Sequence, residues 1–306
     1  MATRNRSLEL SELVWFQHKY LAMCDVSGVV YKLRPHDGDI FPRFVLADGD
    51  GKTTKTFKTE WAARYKNDLI MGSHGKEWIQ DGVLQDRGAE WIKRLDPDGR
   101  IRSLNWGSYY ERLRRETNTT SPGYLTHEAV DWNEDLQEWI FLPRKAVFRA
   151  QTSTTFADSS DEHAGSNLII YANEDFSEIR TGTVGPLETQ WGFSSMAAIP
   201  QSELVLAIKV KELGDITESK LTVFNITDQS IHISEDISDS ELNANGTGGF
   251  VSAGNVKFEG VEFLLPYETV ENVSKNLKRE DTHRVITQMV LWIIGLFGVL
   301  GLLIVF

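Results

Sequence analysis

The sequence predicts an all-β fold of β-propeller type with a C-terminal transmembrane α-helix. Three observations predict it. Short apolar strand patterns fill the body without a long helix-period run. A loose repeat carries an oxygen-bearing residue at one register. The last eighteen residues are uniformly apolar.

The strand signal comes from alternating or β-branched segments bounded by Gly, Asn, Asp or Pro: LVWF, YLAM, VVYKL, FVLA, LIMG, WIFLP, NLIIYA, LVLAIKV, LTVFNI and VEFLL. Branched and aromatic side chains suit a pleated, half-buried surface, and the bounding residues suit turns. Ser108–Glu116 is the one short stretch that reads as helix. With 41% apolar and 25% charged residues, the body has the composition of a packed domain.

The repeat is visible in ELSELVWFQHKYLAM, FKTEWAARYKNDLIM, LTHEAVDWNEDLQEWIF and GFSSMAAIPQSELVL, with KFEGVEFLL as a shortened fifth copy. Each places an oxygen-bearing residue before an apolar strand. These residues are Ser11 and Glu12, then Glu60, Glu128, Ser194 and Glu259, at intervals of 48, 68, 66 and 65 residues. Such a period, with several short strands per unit, suits propeller blades better than a sandwich, and a propeller brings equivalent positions to one axis. Four carboxylates meeting there would repel one another unless a cation sat among them. An all-oxygen donor set without His or Cys describes a hard ion of flexible geometry, which is calcium rather than zinc.

The tail, MVLWIIGLFGVLGLLIVF from Met289 to Phe306, has no charge and follows NLKREDTHR. At 1.5 Å per residue it nearly crosses the ~30 Å hydrocarbon layer. Small polar residues at Asn272–Asn276 leave a removable glycolipid-anchor signal as the alternative. The expected organisation is a stub at 1–7, a propeller at 8–266, a juxtamembrane linker at 267–286 and a transmembrane helix at 287–306.

The formal charge is −12, from 44 acidic and 32 basic residues. That field disfavours a nucleic-acid partner and requires a local cation for any anionic substrate. Cys24 is the only cysteine, so no intrachain disulfide forms. Sequons at Asn5, Asn118, Asn225, Asn245 and Asn272 point to a glycosylating compartment.

Several stretches together resemble the calcium-activated nucleotidases, or apyrases: LELSELVWF with CDVSGVVYKL, FVLADGDG, FKTEWAA with LIMGSHGKEW, SPGYLTHEAVDW with LQEWIFLPRK, WGFSSMAAIP and VKFEGVEFLL. The resemblance covers about Leu8 to Leu265. It implies a five-bladed propeller with Ca2+ in the central tunnel, held by Ser11, Glu12, Glu60, Glu128, Ser194 and Glu259. It further implies hydrolysis of nucleoside di- and triphosphates such as UDP, GDP and UTP in the endoplasmic reticulum, the Golgi or at the cell surface, with a homodimer left open. Asp48 and Asp50 of LADGDG belong at the mouth of the tunnel. Arg144 is the candidate for phosphate binding, with Lys145 beside it. Lys76, Glu77 and Trp78 of GSHGKEW are candidates for phosphate, donor orientation and base stacking. Which of Asp48, Asp50 and Glu128 is the general base stays open.

Three positions depart from the family pattern: Glu12 stands where Asp is usual, Lys145 where Arg is frequent and Trp191 where His is frequent. A strand with an A-D-L-D type motif that precedes this region in the family is not found here, so the first blade is expected to be incomplete and activity impaired. The rival readings are a catalytically impaired, calcium-stabilised binding module and a glycosidase-like propeller with paired acids across a sugar cleft.

Overall fold

The computed structural model describes residues 9–34, 39–80, 83–149, 162–199, 202–236, 258–263 and 291–295. The expected stub at 1–7, the linker at 267–286 and the sequons at Asn5, Asn245 and Asn272 lie outside these residues.

Chain order builds antiparallel sheets one after another. The first is β1 (Leu10–Phe16), β2 (Lys19–Cys24), β3 (Val29–Arg34) and β4 (Asp39–Val45). The second is built from β5 (Trp61–Tyr65), β6 (Asp68–Gly72), β9 (Trp91–Leu95) and β10 (Ile101–Asn105), interrupted by a hairpin of β7 (Trp78–Gln80) and β8 (Val83–Asp86). Helix α1 (Gly107–Glu116) follows. The third sheet is β11 (Tyr124–Asn133), β12 (Glu138–Val147), β13 (Leu168–Asn173) and β14 (Ile179–Thr183). The fourth is β15 (Trp191–Ala198), β16 (Leu204–Leu213), β17 (Ile216–Asn225) and β18 (Ile231–Asp236). Among the described residues, then, there are four four-stranded blades in a propeller-like arrangement. Nine of the ten strand segments expected from the sequence lie in or overlap these strands, and the tenth, VEFLL, overlaps a further strand at Phe258–Phe263.

The cores lie between neighbouring sheets. Val14, Leu21, Met23, Phe57, Leu69 and Met71 join the first blade to the second. Trp61, Ile70, Trp106, Leu125, Phe141 and Ile170 join the second to the third. Ala129, Leu142, Tyr171, Phe193, Ala207 and Phe224 join the third to the fourth. Each strand alternates faces, so one blade supplies apolar side chains to both neighbours. Helix α1 forms where expected because Tyr110 and Leu113 give it a buried stripe. It ends at Thr117, whose hydroxyl donates to the Leu113 carbonyl at 2.8 Å.

β19 (Phe258–Phe263) pairs with β20 (Leu291–Gly295). It packs between β15 and β1, where the Trp15 N–H donates to Glu262 at 2.7 Å and the Val261 N–H donates to the Ser195 hydroxyl at 3.2 Å. Thus β1, β5, β11, β15 and β19 each pack on the next, and β19 packs on β1 again.

The C-terminal expectation differs here. Within the stretch read as a transmembrane helix, 287–306, the described residues 291–295 form a strand; the rest lies outside the described residues. A run such as LWIIG is apolar and branched enough to pair as a strand, and an all-apolar stretch carries no period that separates the two forms. Among the described residues no helix is long and apolar enough to cross a membrane.

Candidate functional site

The strands that pack round the ring share a local device. In β1 the pairing register slips between Leu10 and Glu12, leaving Ser11 as the bulge. In β11 it slips at Glu128, in β15 at Ser194 and in β19 at Glu259. In the second blade Glu60 stands immediately before β5, its N–H donating to the Gly72 carbonyl at 2.8 Å. A bulge places an extra residue opposite one partner and re-aims its side chain. Every ring position singled out by the repeat is therefore at a bulge or at a strand start, and Ser11, Glu12, Glu60, Ser194 and Glu259 are buried.

The carboxylates do not all gather in one place. Glu128 is near enough to Glu60 to raise the Glu60 carboxyl. Burial raises the Glu60 carboxyl well above the usual range; Lys58 pulls it back, while Glu128 and Asp25 push it up. Lys58 supplies the cation here, its ammonium contacting Glu60 and lying 3.2 Å from Asp25 Oδ2. Glu12 turns elsewhere, accepting from the Leu13 N–H and the Ser195 hydroxyl at 2.9 Å each. Burial lifts its carboxyl, and Glu262 and Asp131 add to the lift. Asp131 is itself raised to about 6 by burial, against Arg64. Ser11 donates to the Thr59 carbonyl beside Glu60. Among the described residues no three Asp, Glu, His or Cys side chains are grouped to hold a metal ion.

Among the buried polar atoms without a hydrogen-bond partner are Asp25 Oδ1 and Arg144 Nε, with Thr126 Oγ1 and His127 Nδ1 next to Glu128 on β11. The two charged groups are otherwise ion-paired, Asp25 with Lys58 and Arg144 with Glu212 and Glu128, so what the site holds in reserve is one buried carboxylate oxygen, Asp25 Oδ1. The donor chemistry fits a hard divalent cation: carboxylates and hydroxyls only, with the Asp25 oxygen to spare.

Arg144 is 3% exposed. Its guanidinium donates to the carbonyls of Gly192, at 3.1 Å, and Val210, and to Glu212 at 2.7 Å, leaving Nε 3.4 Å from Glu128. The sequence reading put this guanidinium on phosphate. In the structure most of its fork clamps the fourth blade to the third, and it reaches the site through Glu128.

Basic side chains meet at the same end. His74 is held neutral, its pKa lowered to about 3 by burial and by Lys58, Lys76 and Lys55. Lys145 is lowered chiefly by burial and then by Arg144, with Glu128 and Glu212 opposing and Lys76 adding to the lowering. Lys55, Lys58, Lys76, Lys145 and Arg144 thus share one neighbourhood in a chain of charge −12. Lys76 lies 3.6 Å over the Tyr124 ring.

The LADGDG turn is built by a bridge between Ala47 and Thr56. Asp48 is buried, paired with Lys55 at 2.6 Å and with the Gly49 N–H at 2.9 Å. Asp50 is exposed at the turn, accepting from the Lys52 N–H, which lowers its pKa. Glu77 is taken up by Arg87 at 2.6 Å and Arg114 at 3.6 Å. Trp78 is 60% exposed on the β7–β8 hairpin, which rules out a core role and leaves a free ring face. Trp191 is buried, with Lys220 4.0 Å from its ring.

Sequence reasoning missed Asp25, Lys55, Lys58, His74 and Glu212. Asp25, Lys58 and His74 lie inside CDVSGVVYKL, FKTEWAA and GSHGKEW, stretches weighed only for their ring positions and the Lys76–Trp78 triplet. Glu212, on a strand with no motif, carried no signal.

A family model described as Apyrase matches residues 1–264. The chain belongs to the apyrase family. It is 36% identical over 263 residues to an apyrase of Cimex lectularius, covering 85% of this chain and 66% of that one. It is 32% identical over 267 residues to soluble calcium-activated nucleotidase 1 of Rattus norvegicus, covering 86% and 60%. With apyrase apy-1 of Caenorhabditis elegans the identity is 32% over 231 residues, covering 74% and 63%. The chain spans 60% to 66% of the length of these apyrase-family relatives.

Proposed function

We propose that this chain hydrolyses the phosphoanhydride of nucleoside di- and triphosphates, UDP and GDP among them, with calcium as cofactor. The observation that carries this reading is the contact of Lys58 with Glu60 and Asp25, of Arg144 with Glu128 and of Lys55 with Asp48, with Lys76 and Lys145 within electrostatic reach of the same groups, in an otherwise acidic protein. Such a cluster attracts a polyanion to this end of the propeller. Family membership supports the same chemistry.

The proposed ion site takes Glu60, Glu128, Ser11, Ser194 and Glu259 as donors, with Glu12 joining if it leaves Ser195. Calcium held there would neutralise charge developing on the phosphate oxygens. Lys76 and Lys145 bind phosphate as point charges, and Arg144 fixes Glu128 from behind. Trp78 offers its ring to the base. Asp48, Asp50 or Glu128 orients the attacking water; Asp48, held between Lys55 and Gly49, is the most rigidly placed of the three. Catalysis of this type rests on positioning and electrostatics.

We further propose that β19–β20 is the fifth blade and that the site faces a secretory lumen or the cell surface. The scattering of Glu12 from Glu60 and Glu128 favours one second reading, a binding module of low turnover. Phosphate release from UDP, followed with calcium and after chelation, separates the two. The proposed enzyme releases phosphate only with calcium, and Glu128→Gln lowers the rate at least 100-fold. Absence of turnover alongside calcium-dependent thermal stabilisation would leave the binding module standing.

A further inference from the structure

Lys58 sits where the proposed cation chemistry needs positive charge. Its ammonium contacts Glu60 and lies 3.2 Å from Asp25 Oδ2, and it is within electrostatic reach of Glu128. Asp25 is buried to nine-tenths at its side chain, with Oδ1 left without a partner. Both carboxylates that touch the ammonium are thus buried, while the Lys58 side chain is 50% exposed. The backbone on either side is pinned. The Phe57 N–H donates to the Leu46 carbonyl at 2.9 Å, the Glu60 N–H donates to the Gly72 carbonyl at 2.8 Å, and the Thr59 carbonyl takes the Ser11 hydroxyl. The Lys58 side chain is the half-exposed member of this contact and has solvent on its open side.

Glu60 cannot give the same oxygen lone pairs to an ammonium and to a divalent ion. Two positive centres side by side at 3 to 4 Å would also repel strongly in a buried setting. Resting on the calcium reading above, we propose that Lys58 is a tethered counter-ion that competes with the divalent cation for Glu60: cation binding displaces the Lys58 ammonium from Glu60 into the mouth, where it joins the phosphate-binding cluster. The device keeps Glu60 and Asp25 neutralised when calcium is scarce, and it makes the mouth more positive when calcium is present. A lysine that only propped Glu60 in place would strengthen cation binding; a competitor weakens it, and the sign of the effect separates the two roles.

The test is calcium titration by isothermal calorimetry on the full chain, wild type beside Lys58→Met and Glu60→Gln. Loss of the competitor tightens calcium binding about tenfold in Lys58→Met, whereas Glu60→Gln weakens it by a similar factor or more. A second measurement needs no variant: trace acetylation of the wild-type protein, read by mass spectrometry with Lys52 as internal reference. Calcium is expected to raise labelling at Lys58, because the amine leaves its carboxylates and becomes reactive. Unchanged or weaker calcium binding in Lys58→Met, or constant Lys58 labelling across the calcium titration, overturns this inference and leaves the calcium reading intact. Wild-type protein that takes up no calcium overturns both.

Discussion

Gly192 is the residue whose replacement most directly probes how the third and fourth blades hold the site together. A Cβ built there would stand 1.8 Å from the Arg144 carbonyl oxygen and 2.7 Å from its carbon, both backbone atoms. A real Cβ does not come nearer than about 3.0 Å, so Gly192→Ala must part the two strands by roughly 1.2 Å, which is overpacking of a tightly packed contact. The same displacement stretches the 3.1 Å bond from the Arg144 guanidinium to the Gly192 carbonyl past hydrogen-bonding range. Overpacking costs about 1–3 kcal/mol, and a lost charge-assisted bond about 1.5–3 kcal/mol more. The total of about 2.5–6 kcal/mol should lower the urea midpoint by about 0.8–2 M, taking an m-value of about 3 kcal/mol/M. Gly214→Ala is the control, since Gly214 has φ +59° with nothing within 4 Å. It meets only the left-handed backbone cost of about 1–2 kcal/mol. Equal midpoints for the two variants would refute the steric argument and the clamp built on it.

Three other outcomes are expected. Lys93 is 1% exposed and donates to the Gly49 carbonyl at 2.6 Å and the Ser103 hydroxyl at 2.8 Å, facing Asp48 and Asp50. Lys93→Met should therefore cost about 2–4 kcal/mol in denaturant titration and raise the KM for UDP. His74 has a folded pKa of about 3 against about 6.5 unfolded. The stability it confers as a neutral ring is present above the unfolded value and lost as pH falls from 6.5 toward 3. Wild type should then lose about 2 kcal/mol relative to His74→Asn between pH 7 and pH 5, read as the difference in urea midpoints; Asn keeps an acceptor for the Lys76 N–H, 3.0 Å from His74 Nδ1. A constant difference would contradict a buried neutral ring. Finally, Asn118 is exposed just past α1, whereas the Asn225 amide nitrogen is engaged by Glu203 at 3.0 Å. Expression through a secretory host should glycosylate Asn118, seen as a mass shift removed by a glycosidase; an unshifted protein would argue against lumenal exposure of this face.

Much of this architecture can be read from residue patterns, because strands declare themselves by alternation and turn residues. VVYKL and NLIIYA were read as strands and form β3 and β13, and the short helical stretch at Ser108–Glu116 forms α1. The ring positions were visible as a spacing of oxygen-bearing residues, although the bulges that re-aim Ser11, Glu128, Ser194 and Glu259 depend on the partner strand and leave no mark on one sequence. LWIIG shows the opposite case. A wholly apolar run looks the same whether it is to cross a lipid layer or pair with β19, and only the pairing partner decides. Charged residues were the least legible. Lys55 and Lys58 carried no signal of their own; Lys55 meets Asp48 only once the Ala47–Thr56 bridge closes their turn, and Lys58 meets Asp25 only when the end of β2 comes beside it. Arg144 was found by motif, but its commitment to the Gly192 and Val210 carbonyls comes from the neighbouring blade, which a local motif does not encode.

The claim on which the rest depends is that oxygens from successive inner strands share one calcium ion at the basic end of the propeller. Anomalous diffraction from crystals of the chain grown with calcium tests it without any appeal to turnover. The account predicts one strong calcium peak bounded by Glu60, Glu128 and Glu259, with the Lys58 ammonium turned away from Glu60. A calcium-saturated crystal with Lys58 still on Glu60 and no peak between these carboxylates would contradict it.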